Sequence, residues 1–174
     1  HKDIEVKTEL EANEILDTLK KYSESHQTIV YLTDLGFSMK DAMLIYNFYK
    51  DKTIPKNIWL GVTVECKSVK SRIDQLRDLN ASVKFLSCEP LLEDLENLNF
   101  SGINWVIVGG ESGPKARPMK EEWVLNIKEQ AEKQNAAFFF KQWGTWSGDG
   151  VKRNKYKNGK LLKGMIIQEM PNTK

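Results

Sequence analysis

Cysteine is scarce in this chain: Cys66 and Cys88 are its only thiols. Two cysteines supply neither a disulfide scaffold nor a cysteine-rich metal framework. Each stands at or near the end of an apolar run, the setting of a buried free thiol, and a cytoplasmic location is the expectation. Histidine is as rare. His1 and His26 stand well before the second half of the chain, so that half has no imidazole for a serine triad or a histidine metal site. No Gly-x-x-x-x-Gly-Lys-Ser/Thr occurs, which removes the phosphate-cradling loop of ATP machinery. No apolar run approaches the ~20 residues that span a bilayer. The first residues do not follow the basic, apolar, small order of a signal peptide. No membrane partner is expected. A start at His1 rather than Met suggests a processed or excised piece.

What is present is ordinary for a globular protein. Of 174 residues, 40% are hydrophobic and 29% charged, enough for one domain with a small appendage. The net charge of +2 hides a split. Residues 1–54 hold seven Lys/Arg against ten Asp/Glu, and residues 55–174 hold nineteen against fourteen. From Gly150 onward seven basic residues face one acidic. An acidic front and a basic tail predict two pieces, a helical module over 1–54 and an α/β domain over 55–174.

The periodicity supports that division. Leu10, Ile15, Leu19 and Tyr22 predict a helix from Lys7 to Glu24. A second helix is predicted from Gln27 to Leu35, stopped by Gly36, and a third from Met39 to Tyr49, capped by Ser38. Beyond Pro55 the period changes. Strands are predicted at Ile58–Val64, Val83–Ser87, Ile103–Val108 and Ala136–Phe140, and helices at Val69–Leu79, Leu91–Leu98 and Glu121–Gln134. Met165–Met170 adds a candidate edge strand. Strand-helix alternation of this kind predicts a parallel sheet, either open or a partial (β/α) barrel.

The strand ends carry the candidate site. The four strands finish at Glu65, at Glu89, at Gly109-Gly110-Glu111, and at Lys141-Gln142, with Arg117 on the loop after Gly113-Pro114. Parallel sheets bind ligands at this carboxyl edge, and clustered carboxylates beside cations tune one another's protonation. Glu65, Glu89, Glu111, Arg117, Lys141 and Gln142 are therefore the candidate catalytic residues. The alternative is a solvated rim in which pairs such as Glu111 with Arg117 are structural. Three glutamates could hold a hard cation, but no Asp or His cluster supports a metal site. Gly110-Glu111-Ser112-Gly113 is one residue short of a nucleophile elbow and lacks a histidine partner. Trp59, Trp105 and Trp123 read as core. Trp143 and Trp146 follow the last strand and are either core or a stacking surface for a flat ligand.

Two resemblances add to this. Leu32-Thr33-Asp34-Leu35-Gly36-Phe37-Ser38, with Ala42 and Ile45-Tyr46, is similar to a helical-hairpin segment of RecD-like helicases. It implies a module that touches DNA phosphates at Gly36, Ser38 and Lys40. The charge of the basic tail separately makes Lys152 and Arg153 candidate nucleic-acid contacts. The second covers residues 55–172. Asn57-Ile58-Trp59-Leu60-Gly61-Val62-Thr63-Val64-Glu65, Phe85-Leu86-Ser87-Cys88-Glu89-Pro90, Trp105 to Gly113, Ala116-Arg117-Pro118-Met119, Phe139 to Gly144 and Glu169-Met170-Pro171 carry it in order. Together they resemble the carboxyl-terminal half of a phage-associated family of unknown activity, related to radical S-adenosylmethionine enzymes. That likeness implies a half-barrel whose mouth holds S-adenosylmethionine beside an iron–sulfur cluster, with Gly109, Gly110 and Glu111 on the cofactor. The three closely spaced cysteines of such a cluster are missing. The expectation is thus a truncated domain with a ligand-facing edge, inactive in cluster chemistry alone. The alternatives are a DNA-binding accessory protein and a structural fragment whose open sheet edge invites a partner chain or a second copy.

Overall fold

The computed structural model describes Thr28–Tyr31, Ile54 and residues 56–172. The helices predicted at Lys7–Glu24 and Met39–Tyr49, and the turn at Gly36, Ser38 and Lys40, lie outside the described residues.

The core element is a five-stranded parallel sheet: β1 (Thr28–Tyr31), β2 (Ile58–Thr63), β3 (Val83–Cys88), β4 (Trp105–Gly109) and β5 (Ala137–Gln142). One expectation is corrected at once. The helix predicted from Gln27 to Leu35 is replaced by strand β1, whose Thr28 to Tyr31 pair in parallel with Ile58 to Gly61. Thr-Ile-Val-Tyr is a run of β-branched and aromatic residues, and the neighbouring strand decides its state over the helical spacing around it.

Helix α1 (Ser71–Arg77) follows β2 after a 3-10 turn at Lys67–Val69, and helix α2 (Glu121–Lys133) precedes β5. Strand order follows chain order across the sheet. Alternate strand residues divide between two clusters. Leu60, Val62, Leu86, Val106, Val108, Phe138 and Phe140 pack with Ile73 and Leu76 of α1 and with Val124, Ile127 and Ala131 of α2. Trp59, Val83, Phe85, Trp105 and Ile107 fill the other face, with Phe139 against them. Both helices thus lie on one face, and no strand reverses the order. This is the winding of a (β/α) barrel, whereas a doubly wound sheet changes direction at a switch point.

The second face is aromatic. Trp105 lies 6.0 Å from Trp59, 5.7 Å from Phe85 and 5.7 Å from Phe139, in tilted or edge-on geometries. Gly61 is opposite Phe85 in the ladder, and a Cβ there would lie 2.1 Å from the Phe85 ring. The glycine makes room for the ring.

The predicted helix at Leu91–Leu98 is absent. Its 3.6-residue spacing reflects burial of Leu91, Leu95 and Leu98 along an irregular loop. Side chains of the helices satisfy that loop's backbone. Lys70 Nζ donates to the Leu95 and Asn97 carbonyls, while the Gln130 and Gln134 amide oxygens accept from the N–H groups of Leu98 and Phe100. A buried loop without a ladder needs such partners.

After β5 the chain forms a short helix α3 (Lys155–Asn158) and an antiparallel pair, β6 (Leu161–Leu162) with β7 (Met165–Ile166). It then runs antiparallel beside β5. Phe140 N–H donates to the Ile167 carbonyl and Glu169 N–H to the Phe138 carbonyl, and the Glu169 carboxylate accepts from Phe138 N–H. The outer edge of β5 is therefore covered by the chain's own residues 167–169.

Candidate functional site

The strand ends meet at one mouth. A cavity of about 550 Å³ is lined by Glu65, Glu89, Pro90, Leu92, Gly110, Glu111, Ser112, Arg117 and Gln142. That is within the range of ~300–1,000 Å³ typical of small-molecule sites. Of the six candidate catalytic residues, five line the cavity. Lys141, on the same edge, reaches in through its ion pair with Glu89 at 2.9 Å.

Each glutamate has its own cation. Arg72 of α1 donates to Glu65 at 3.2 Å and to the Thr63 carbonyl at 2.8 Å. Glu89 accepts from Lys141 and, at 3.3 Å, from the buried Ser87 hydroxyl. Glu111 accepts from Arg117 three times: from Nε, from Nη2 and from the backbone N–H. These hydrogen bonds hold the Glu111 carboxyl below the usual carboxylate range and raise the Arg117 guanidinium. Sequence reasoning anticipated the Glu111–Arg117 pair. It missed Arg72, whose only signal is its place one helical turn into the segment after Glu65.

Pairing leaves particular atoms open. Glu65 binds Arg72 through Oε2 only. Among the described residues, Glu65 Oε1, the Gln142 amide and the Ser112 hydroxyl have no hydrogen-bond partner, and all three residues line the cavity. Side chains of Glu65 and Glu89 are only 14% and 15% exposed, so a ligand there meets carboxylates in a partly dehydrated setting.

The glycines of the loop have protein neighbours that require them. A Cβ on Gly109 would lie 2.8 Å from the Glu89 carboxylate, and one on Gly110 would lie 1.9 Å from the Trp143 carbonyl oxygen. Gly144 takes φ +78 and approaches the Glu111 carbonyl from the other side. Thr145 ties the same loops, its N–H donating to the Glu111 carbonyl at 2.9 Å and its hydroxyl accepting from Gly113 N–H. The stacking alternative for Trp143 is corrected. Trp143 is buried against Phe140, and its indole N–H donates to the Leu161 carbonyl. Trp146 donates to the Ala116 carbonyl. Trp59 and Trp105 are core, whereas Trp123 is half-buried at the core margin, with Val124 taking the inward position.

The family's profile brings the whole length together. The family described as "Protein of unknown function (DUF5131)" matches residues 6–171. The chain belongs to DUF5131. The match runs through both the acidic front and the strand-helix region. No curated protein and no solved structure matches the chain.

The groups implied by resemblance can be tested against this DUF5131 mouth. An iron–sulfur cluster does not fit. Cluster iron binds thiolates, and the chain offers two cysteines. Of these, Cys88 is fully buried on the helix-covered face, and burial first, then Glu89 and Glu65, push its thiol well above the ordinary range. Among the described residues, no group of three or more His, Cys, Asp or Glu is placed to hold a metal ion. The open groups of the mouth, Glu65 Oε1, the Gln142 amide and the Ser112 hydroxyl, have the donor and acceptor chemistry that an amino-acid end of a ligand requires.

The nucleic-acid candidates divide. Gly36, Ser38 and Lys40 lie outside the described residues. Arg153 is held by Asp149 at 2.8 Å and by Ser147, whereas Lys152 donates to the Pro114 carbonyl and has no acidic partner among the described residues. No helix among the described residues is long and apolar enough to cross a membrane.

Proposed function

We propose that this domain binds a small zwitterionic ligand at the carboxyl edge of its sheet, with S-adenosylmethionine as the ligand its motifs suggest. The observation that carries this reading is the set of three unengaged polar groups, Glu65 Oε1, Gln142 and Ser112, converging on a cavity whose other charges are already paired. When bound, the ligand supplies a sulfonium centre that activates an attached carbon group. The chain's own residues bind and orient it: Glu65 and Gln142 receive the ammonium, Arg117 and Ser112 the carboxylate. Lys141 and Arg72 hold the Glu89 and Glu65 side chains in place through their ion pairs. In this reading the domain is a radical-SAM-like half-barrel whose Cys66 and Cys88 supply no set of cluster thiolates.

Calorimetric titration with S-adenosylmethionine tests this directly. Saturable binding is expected. Glu65→Gln and Gln142→Ala should each weaken it by about 10- to 100-fold, the range for losing a hydrogen bond to a charged group. Glu129→Gln, in an exposed ion pair on α2, should leave it unchanged. No saturable heat at millimolar ligand, or equal binding by all variants, would overturn the proposal.

A further inference from the structure

The loop after β5 has a composition the mouth does not use. From Gly144 to Gly164 it holds Lys152, Arg153, Lys155, Lys157, Lys160 and Lys163 against a single acid, Asp149. Arg153 and Ser147 occupy Asp149, which holds its carboxyl far below the usual range. Lys163 pairs with Glu121 and Lys160 donates to Gln168, which leaves Lys152, Lys155 and Lys157 without an acidic partner among the described residues. In the middle of it stands Tyr156, 82% exposed, the most exposed large hydrophobic side chain among the described residues.

Local geometry fixes this display. Asn154 caps α3, its side chain accepting from Tyr156 N–H at 2.9 Å. Lys155 Nζ sits 5.2 Å from the Tyr156 ring, and Lys152 Nζ is held by the Pro114 carbonyl, 5.7 Å from the Trp146 ring. Lys152, Lys155 and Tyr156 share a cavity of about 500 Å³ with Ser112, Gly113 and Pro114. Lys115, next to Pro114, is exposed and forms no ion pair among the described residues. Ser112 also lines the glutamate mouth, so the two cavities are contiguous at that residue.

We infer that this surface binds a single-stranded nucleic acid, with one base stacked on Tyr156 and the flanking phosphates on Lys115, Lys152 and Lys155. Charge complementarity selects a polyanion. The exposed aromatic ring selects one with accessible π-faces, because a base in a duplex is already stacked on both sides. Trp146 is unavailable for this, since its N–H and its ring are both engaged. The inference stands apart from ligand binding in the mouth: it uses residues of the loop, and the two sites meet only at Ser112.

Fluorescence anisotropy of the full chain with a labelled 12-residue oligothymidylate tests it. Binding is expected at 50 mM salt, with affinity falling as salt rises at a log–log slope near −2, about 0.7 per phosphate contact. Tyr156→Ala should weaken binding about tenfold without changing the slope. Lys152→Ala and Lys155→Ala should each reduce the slope by about 0.7. Tyr156 and Lys155 are exposed, so neither substitution disturbs the fold, and S-adenosylmethionine titration of the same variants should be unaltered. A heparin competitor separates stacking from bare charge, because heparin has no bases. No binding at 50 mM salt would overturn the inference. So would equal affinity for heparin in Tyr156→Ala and the parent with no loss for oligothymidylate, or a duplex bound as tightly as the single strand.

Discussion

Gly110→Ala places the tightest demand on the site's architecture. The added Cβ would sit 1.9 Å from the Trp143 carbonyl oxygen and 2.7 Å from its carbon. Real carbon–oxygen contacts begin near roughly 3.3 Å, so the two loops must separate by more than an ångström. That movement strains the Gly110 N–H to Gln142 carbonyl bond at 3.0 Å and the Thr145 N–H to Glu111 carbonyl bond at 2.9 Å. Overpacking costs about 1–3 kcal/mol, and one or two weakened hydrogen bonds add about 1 kcal/mol each. The expected destabilisation is about 2–5 kcal/mol. With a urea slope of about 2 kcal/mol/M, the unfolding midpoint should fall by about 1–2.5 M. Gly150→Ala is the control: it has φ +75 but open space around it, so only backbone strain of about 1 kcal/mol is expected. If Gly110→Ala moved the midpoint by less than Gly150→Ala, the close approach of the loops after β4 and β5 would be wrong. The account of the mouth would fall with it.

Other outcomes follow from the same geometry. Phe138→Ala removes a fully buried ring from the helix-covered face and should cost about 3–5 kcal/mol in urea unfolding; a loss under 1 kcal/mol would contradict its place in the core. A thiol reagent should label Cys66, which is partly exposed, and reach Cys88 only after denaturant is added; rapid labelling of both would refute the burial of Cys88. Glu111 has a folded pKa below its ordinary 4.5, so its pairing contributes stability above that value and loses it as pH falls through the folded pKa. The difference in melting temperature between the parent and Arg117→Ala should therefore be present at pH 7 and shrink below pH 4. A difference independent of pH would remove the ion pair from the account.

Legibility in the sequence followed the range of the interactions concerned. Ile58–Thr63, Val83–Cys88 and Trp105–Gly109 are near-continuous β-prone runs bounded by polar or glycine residues, and a strand buried on both faces leaves that trace. The carboxyl-edge glutamates were legible for the same reason, since each strand's end is set by its own pattern. Thr28–Tyr31 was not, because the apolar spacing of the neighbouring sequence predicts a helix and its pairing partner lies about thirty residues away. Leu91–Leu98 misled in the opposite sense: apolar spacing reports which residues are buried, and a loop held by Lys70, Gln130 and Gln134 can bury them without a helix.

The sequence by itself determined a parallel α/β architecture and the residues delivered to its carboxyl edge, because strand period and strand ends are local properties. Only the tertiary structure decided which charges remain open there. Arg72, Lys141 and Arg117 come from three different segments, and their pairing with Glu65, Glu89 and Glu111 depends on how the loops fold over the edge. Trp143 was sealed into the core in the same way, and Tyr156 was left outside it. Both are aromatic residues near lysines in the same glycine-rich stretch. Nothing in their immediate sequence separates them. The partner each indole or phenol ring finds across the fold does.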